Sequence, residues 1–409
     1  MSSPAIVAPG DRASRPTSAP VVGAASIALA HAVNDSYAYI LPSLLPVLLT
    51  QAGITLSMGA ALVAVNLLAS SILQPIFGHR ADQSGRGRWM AWTGVLLSGS
   101  GAAALGLVPG FAGMALAMLM TGVGSALFHP VTAALVASAA PPSQRGFWMS
   151  AYISAGNVGL GLGPLFVGVV LVNGGLSRTW LLALPAIVAA ILLWRLAPAR
   201  PGHRSITSKS LPTVLRQHWR ILGALVAVVA LRSWASTTLV TFLPVFATQH
   251  GAAPAQAAQV LTVFLIAGAI GGFVGGTTAD RLGRDQVVIG SLLLSVPFGV
   301  FLGTVSEFGV SFWVAVAASG FFLNGSWISL TVRGQESVPG SIAMMSGLML
   351  GLSVGLGGLA VAPIGLVAER VGLGLVISGV ACLPVLGAVM MRFVPRARSS
   401  AEKYTAVSV

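Results

Sequence analysis

Apolar runs long enough to cross a lipid bilayer follow one another along the chain, with only short polar gaps between them. A membrane-crossing helix needs about 20 mainly apolar residues. Runs of that kind fall at 22–50, 55–78, 89–108, 111–139, 146–172 and 177–197. A second set falls at 219–248, 256–279, 286–305, 309–335, 341–368 and 372–394. The pattern predicts an all-α integral membrane protein with twelve transmembrane helices in two groups of six. The longest polar stretch between runs is Pro198–Arg220. The expected organisation is a disordered cytoplasmic tail over 1–21, an N-terminal six-helix bundle over 22–197 and a cytoplasmic linker over 198–218. A C-terminal six-helix bundle over 219–394 and a cytoplasmic tail over 395–409 complete it. The opening residues read as a tail and not a cleaved signal, because the run that follows holds His31, Asn34 and Asp35 and outlasts a signal peptide.

Composition supports the membrane reading. Of 409 residues, 55% are hydrophobic and 8% charged, where a soluble domain carries roughly a quarter charged residues. The net charge of +13 is not that of a nucleic-acid binder, because the cations sit in the gaps between apolar runs. With both termini inside, nineteen of the 22 Lys and Arg residues fall on the cytoplasmic side. Only Arg178 and Arg370 lie outside, and Arg232 is inside a span. This asymmetry is the positive-inside pattern, so the expected location is a bacterial inner membrane. The basic loops would meet anionic headgroups there. The single cysteine, Cys382, permits no internal disulfide. The six histidines lack metal-ligand spacing, so no metal site and no cofactor are expected.

The two halves repeat. Gly78, Ala81, Asp82, Gly85 and Arg86 follow the second run, with Arg88 just beyond. Gly276, Ala279, Asp280, Gly283 and Arg284 follow the eighth at the same spacing, half a chain later. Glycines permit the tight turn, and arginines hold it at the headgroups. This duplicated loop resembles the signature of the major facilitator superfamily, and the resemblance runs from about residue 22 to 394. It implies two pseudo-symmetric six-helix bundles working by alternating access, commonly as a monomer. The Gly78, Asp82, Gly85 and Arg86 loop and its Asp280, Gly283 and Arg284 copy would latch the cytoplasmic side. In the fifth run Gly159, Gly163, Pro164 and Gly168 resemble the fifth-helix motif of exporters, without a paired glycine after the proline. Small residues let helices approach closely, and a Gly-Pro pair allows a bend.

Ionisable groups at membrane depth cost roughly 2.5–3.5 kcal/mol each on insertion scales, so each is a candidate for function. The strongest group is His31, Asn34 and Asp35 in the first run. His31 and Asp35, four residues apart, share a helical face. Burial disfavours the charged form of either, so Asp35 is the candidate proton carrier, tuned by His31. His129 precedes the helix-bending Pro130 in the fourth run, and Arg232 lies among apolar residues of the seventh. Both are candidates for a substrate cavity, with Asn34, Gln74, Asn324 and Trp327 as further lining residues. Glu307, Glu336 and Glu369 fall near span ends and read as solvated loop charges.

A narrower resemblance rests on His31, Asn34 and Asp35 in the first run and on the stretch from Leu67 to Gln74 and Pro75 in the second. It includes Gly122, Gly124, Ser125, Phe128, His129 and Pro130 in the fourth run. Gly156, Asn157, Gly159, Gly163 and Pro164 in the fifth complete it. In this order they resemble the fosmidomycin resistance protein group, which implies proton-coupled drug export. Val131 and Leu135 stand where that group often carries an acidic residue and a later arginine. The leading expectation is thus a proton-driven exporter of a small molecule. An uptake symporter for an organic acid or sugar shares the fold and the proton site, and a non-transporting receptor would leave the buried charges dispensable. An enzyme is disfavoured, since no nucleophile, base and orienter occur together and no nucleotide-binding loop is present.

Overall fold

The computed structural model describes residues 18–84, 87–141, 144–197, 211–337 and 342–394. In the first half the helices are α1 (Ser18–Ser36), α2 (Ile40–Gln51), α3 (Leu56–Ser84), α4 (Arg88–Ala104), α5 (Gly110–Ala139), α6 (Arg145–Val172) and α7 (Ala183–Leu196). A 3-10 segment, Gly175–Leu182, leads into α7. The second half holds α8 (Leu211–Gln249), α9 (Pro254–Leu282), α10 (Arg284–Thr304), α11 (Val310–Gly325) and α12 (Trp327–Ser337). It ends with α13 (Ile342–Val371), α14 (Leu373–Ala381) and α15 (Leu383–Met390).

Among the described residues, 10 segments are long and apolar enough to cross a membrane. The two remaining segments of the expected twelve have local causes. The third, α4, has 17 residues. The first is broken between Ser36 and Ile40 into α1 and α2. Pro42 accounts for the break, because it has no N–H to give the Ala38 carbonyl and its ring crowds that oxygen. The chain tightens there through Tyr37 N→Asn34 O at 3.2 Å and Ala38 N→Asp35 O at 3.0 Å. Tyr37 anchors the break, its hydroxyl donating to the Leu182 carbonyl at 2.8 Å.

Two other expected spans are also interrupted. The tenth breaks at Ser326, whose hydroxyl donates back to the Leu323 carbonyl at 2.9 Å and competes with the helix ladder. The twelfth breaks at Cys382, ahead of Pro384 in the first turn of α15. The expected linker turns helical at Leu211, with a kink at His218 (φ −118°, ψ 18°) close to the expected start of the seventh span. Residues 198–210, both tails outside 18–394, and Gly85 and Arg86 lie outside the described residues.

Packing repeats between the halves. The second span lies on the fourth (α3 on α5; α9 on α11), and the third lies on the fourth (α4 on α5; α10 on α11). The first lies on the fifth (α1 on α6; α8 on α13), and the third also meets the sixth (α4 on α7; α10 on α14 and α15). The two most extensive contacts between the halves are images of each other, α3 against α13 and α6 against α9, and α2 also meets α8 and α9. Large apolar side chains such as Phe147, Ile153, Val172, Phe273 and Leu375 are exposed. A surface of that kind suits lipid and not water.

The α3–α13 seam is made by missing side chains. A Cβ on Gly365 would stand 2.6 Å from the Ala60 Cβ, and one on Gly358 would stand 2.9 Å from the Leu67 Cβ. At the end of the seam the Ser57 backbone N–H donates to Glu369 Oε1 at 2.7 Å. Glu369 is exposed, as its position near a span end suggests, and it also ties the halves together. We predict that Gly365→Leu pries this seam open. Ser57→Cys and Glu369→Cys, placed in a Cys382→Ser background, should be bridged by a short bismaleimide. Adding Gly365→Leu should cut the yield by roughly tenfold, matching about 1.4 kcal/mol of overpacking. An undiminished yield would mean that the glycine seam does not hold the halves.

Candidate functional site

The site begins with a glycine face. Gly156, Gly159 and Gly163 of α6 lie one turn apart against α1, where a Cβ on Gly159 or Gly163 would collide with the carbonyls of Ala32 and Ser36. Close approach of the two backbones is thus written in the sequence. It carries His31 onto α6: Nδ1 donates to the Tyr152 carbonyl at 2.7 Å. The ring also stacks on the Tyr152 ring with centroids 3.9 Å apart. The Tyr152 hydroxyl is itself hydrogen-bonded to Thr132 Oγ1 at 2.9 Å.

One turn on from His31, Asp35 receives two imidazoles. His31 Nε2 lies 3.2 Å from Oδ2, and His129 Nε2 lies 3.0 Å from Oδ1. The His129 Nδ1 donates to the Ser125 carbonyl of its own helix at 2.9 Å. Asn34 Nδ2 donates to Asp35 Oδ1 at 3.2 Å, and Asn34 Oδ1 accepts from Ser98 Oγ at 3.1 Å. Four helices, α1, α4, α5 and α6, thereby share one polar network. Its ionisable side chains are 9% (His31), 14% (Asp35) and 28% (His129) exposed.

His129, a sequence candidate for the substrate cavity, is bonded to Asp35. The ligand-type atoms of His31, Asp35 and His129 lie within 4.8 Å of one another. The grouping was invisible to residue spacing, because His129 comes from another helix. Each Nε2 is paired with its own carboxylate oxygen at hydrogen-bond distance, so shared protons account for the arrangement.

A second group occupies the other half. Arg232 on α8 is 4% exposed, and its Nη1 donates to Asn324 Oδ1 at 3.3 Å. Its guanidinium carbon stands 4.3 Å over the Trp327 ring, a cation–π arrangement. Asn324 Nδ2 donates to the Gly320 carbonyl at 3.0 Å. Tyr39, at the α1–α2 break, is within electrostatic reach of both Asp35 and Arg232. Gln74 sits half-buried on α3 and is joined to neither group among the described residues.

The repeated loops differ in what is visible. In the first copy Gly78 packs toward the Pro130 ring, and Asp82 lies in the last turn of α3. In the second, Gly283 turns the chain at φ +95°, and Arg284 Nε donates to Glu336 Oε1 at 2.7 Å. Asp280 is 72% exposed and only 3.8 Å from Arg284. The buried ion pair of this region joins Arg333 Nε to Asp285 Oδ1 at 2.9 Å, neither of which was a sequence candidate. Pro164 lies inside α6, which runs through it as one helix.

The fold and this pattern of buried charges are those of a secondary transporter, and the chain belongs to the Major Facilitator Superfamily, whose model matches residues 27–362. It is 30% identical to the fosmidomycin resistance protein of Escherichia coli (strain K12), over 91% of this chain and 92% of that one. It is 31% identical to the uncharacterized MFS-type transporter YfnC of Bacillus subtilis (strain 168), over 88% of this chain and 90% of that one. Among solved structures it is similar to a bacterial homologue of the human lysosomal transporter Spinster in an inward-facing and occupied conformation. That match has a TM-score of 0.80 at 15% identity and covers 94% of this chain and 98% of that one. A mutant of the nucleoside transporter NupG matches with a TM-score of 0.78 at 14% identity, over 92% and 100% of the two chains. The protein is a multi-pass membrane protein with twelve transmembrane helices in two pseudo-symmetric bundles.

The glycine face makes a direct prediction. A Cβ on Gly156 would stand 2.5 Å from His31 Cε1 and 2.8 Å from Asp35 Oδ2. Gly156→Ala should therefore displace the cluster, lower stability by about 1–3 kcal/mol and abolish transport. Gly223→Ala, where the added methyl meets nothing within 4 Å, should do neither. Thermal unfolding and uptake assays on the two variants check this, and a fully active Gly156→Ala would contradict the packing.

Proposed function

We propose that this protein is a proton-coupled exporter of small organic molecules, including drugs, working by alternating access as a monomer in a bacterial inner membrane. The observation that carries the proposal is Asp35 bridged by two imidazoles inside the helix bundle. A carboxylate at that depth is costly to keep charged, and imidazoles beside it are the side chains suited to accepting and releasing protons near neutral pH. Asp35 is the proton carrier and His31 its partner. Arg232, Asn324 and Trp327 contact the substrate from the other half, the guanidinium taking an anionic group and the indole an apolar one.

Export is favoured by likeness to a protein named for fosmidomycin resistance. The distribution of Lys and Arg supports cytoplasmic termini. In that orientation the Ser57–Glu369 seam closes the outer end, and the Asp82 and Asp280 loops gate the cytoplasmic end.

Purified protein in liposomes holding an internal pH dye tests this reading. Gradients of fosmidomycin and of a panel of lipophilic cations are imposed, and proton flux is recorded for wild type and Asp35→Asn. Protons should move opposite to substrate, and Asp35→Asn should reduce coupled flux by at least roughly a hundredfold, the scale at which one essential proton carrier is lost. Movement in the same direction would make the protein an uptake symporter. Flux unchanged in Asp35→Asn would remove that residue from its role.

A further inference from the structure

The hydrogen bonds around Asp35 fix how many protons the cluster must hold. A backbone carbonyl only accepts, so the Nδ1 of His31, facing the Tyr152 carbonyl at 2.7 Å, must carry hydrogen. The Nδ1 of His129 lies 2.9 Å from the Ser125 carbonyl and 3.2 Å from the Ser125 hydroxyl; the nearer carbonyl only accepts and the hydroxyl oxygen can accept as well, so this Nδ1 also carries hydrogen. Each ring has one nitrogen left, Nε2, and each Nε2 faces a different oxygen of Asp35 at 3.2 Å and 3.0 Å. An ionised carboxylate also only accepts. Each of these contacts therefore needs a proton of its own, shared between nitrogen and oxygen. With one proton missing, lone pair faces lone pair across about 3 Å, and that contact must open.

The two contacts are not equally free to open. His31 is clamped between its carbonyl bond and the Tyr152 ring stacked at 3.9 Å. His129 is three times as exposed, 28% against 9%, and its other anchor lies on its own helix. The groups that face the cluster do not supply a competing proton. The Tyr152 hydroxyl on α6 is taken up by Thr132 of α5. Asn34 of α1, Ser98 of α4 and Ser125 of α5 do not titrate. Tyr39 and, beyond it, Arg232 of α8 act only through their fields.

We infer that the cluster carries two protons per transport cycle, one in the His31–Asp35 contact and one in the His129–Asp35 contact, with His129 the ring that swings away to release the first and the Asp35 carboxylate the group that turns from the held His31 to release the second. This rests on the proton-coupled reading above. Loading and unloading changes the charge of the cluster by two units, from net positive to net negative. In this scheme His129 is a proton carrier and not a wall of the substrate cavity.

Proton stoichiometry tests the inference. Wild type and His129→Gln are reconstituted into liposomes with the membrane potential clamped to zero, and a one-unit pH gradient is imposed. The steady-state gradient of fosmidomycin is then measured. Each coupled proton supports roughly tenfold accumulation per pH unit, so wild type should reach roughly a hundredfold and His129→Gln roughly tenfold. Both should exchange labelled for unlabelled fosmidomycin without a pH gradient, which shows that the variant is folded. No proton-driven accumulation by the wild type would overturn the coupled reading itself. Wild-type accumulation near tenfold, or a His129→Gln protein matching the wild type, would overturn the two-proton inference and leave coupling in place. Loss of exchange in both His129→Gln and His129→Asn would make His129 a structural residue and overturn the inference as well.

Discussion

A carboxylate inside a lipid bilayer cannot remain a bare charge, and the N-terminal half of this protein is organised around satisfying one. Asp35 is held by two imidazoles and an amide, and each imidazole is aimed by a backbone carbonyl. Those carbonyls are in place because α6 approaches α1 across Gly156, Gly159 and Gly163, and because Ser125 precedes His129 by one helical turn. The Asn34–Ser98 bond draws α4 into the same network. A single acid thus ties four helices into one polar network. It also lies just ahead of the point where Pro42 breaks the first span, so the backbone at Asp35 belongs to the end of a helix and not to its middle.

The two halves share an architecture but not a charge. In the N-terminal half the buried ionisable groups are an acid and two histidines. In the C-terminal half two arginines are buried: Arg333 is paired with Asp285, and Arg232 is held by Asn324 and stacked on Trp327. Tyr39 stands within reach of both Asp35 and Arg232. An arrangement with a proton-binding group on one bundle and a fixed cation on the other couples naturally to rocking of the bundles. A change in the charge of the first alters its attraction for the second. The seams that such rocking would work against, α3 on α13 and α6 on α9, are related by the same internal repeat that duplicates the Gly-Ala-Asp-Gly-Arg loop.

Much of this was legible in the sequence, because lipid imposes a simple rule on helices. The twelve apolar runs, the repeat and the buried His31, Asn34 and Asp35 could be read from hydropathy and spacing alone. The helix breaks at residues 37–39, 326 and 382 could not be read from hydropathy, because apolar runs continue through them. Pro42, Ser326 and Pro384 were their only local signs. The contact between Asp35 and His129 joins residues 94 apart, and nothing in the fourth run says which way its histidine turns. Side-chain partnership across helices also hid the Arg333–Asp285 pair and the tie made by Glu369. Both acids stand at span ends, where a solvated charge is the ordinary expectation. Gln74 was singled out for being polar in an apolar run, and it joins neither buried group.

The central claim is that two rings with Nδ1 committed to carbonyls present only Nε2 to Asp35. Nitrogen NMR of the protein labelled at histidine reads this directly, with His31→Gln and His129→Gln used to assign the two signals. The account predicts that both rings keep hydrogen on Nδ1 at every pH, and that only Nε2 gains or loses a proton as pH is varied. A neutral ring protonated at Nε2, in either His31 or His129, would contradict the geometry on which the coupling site rests.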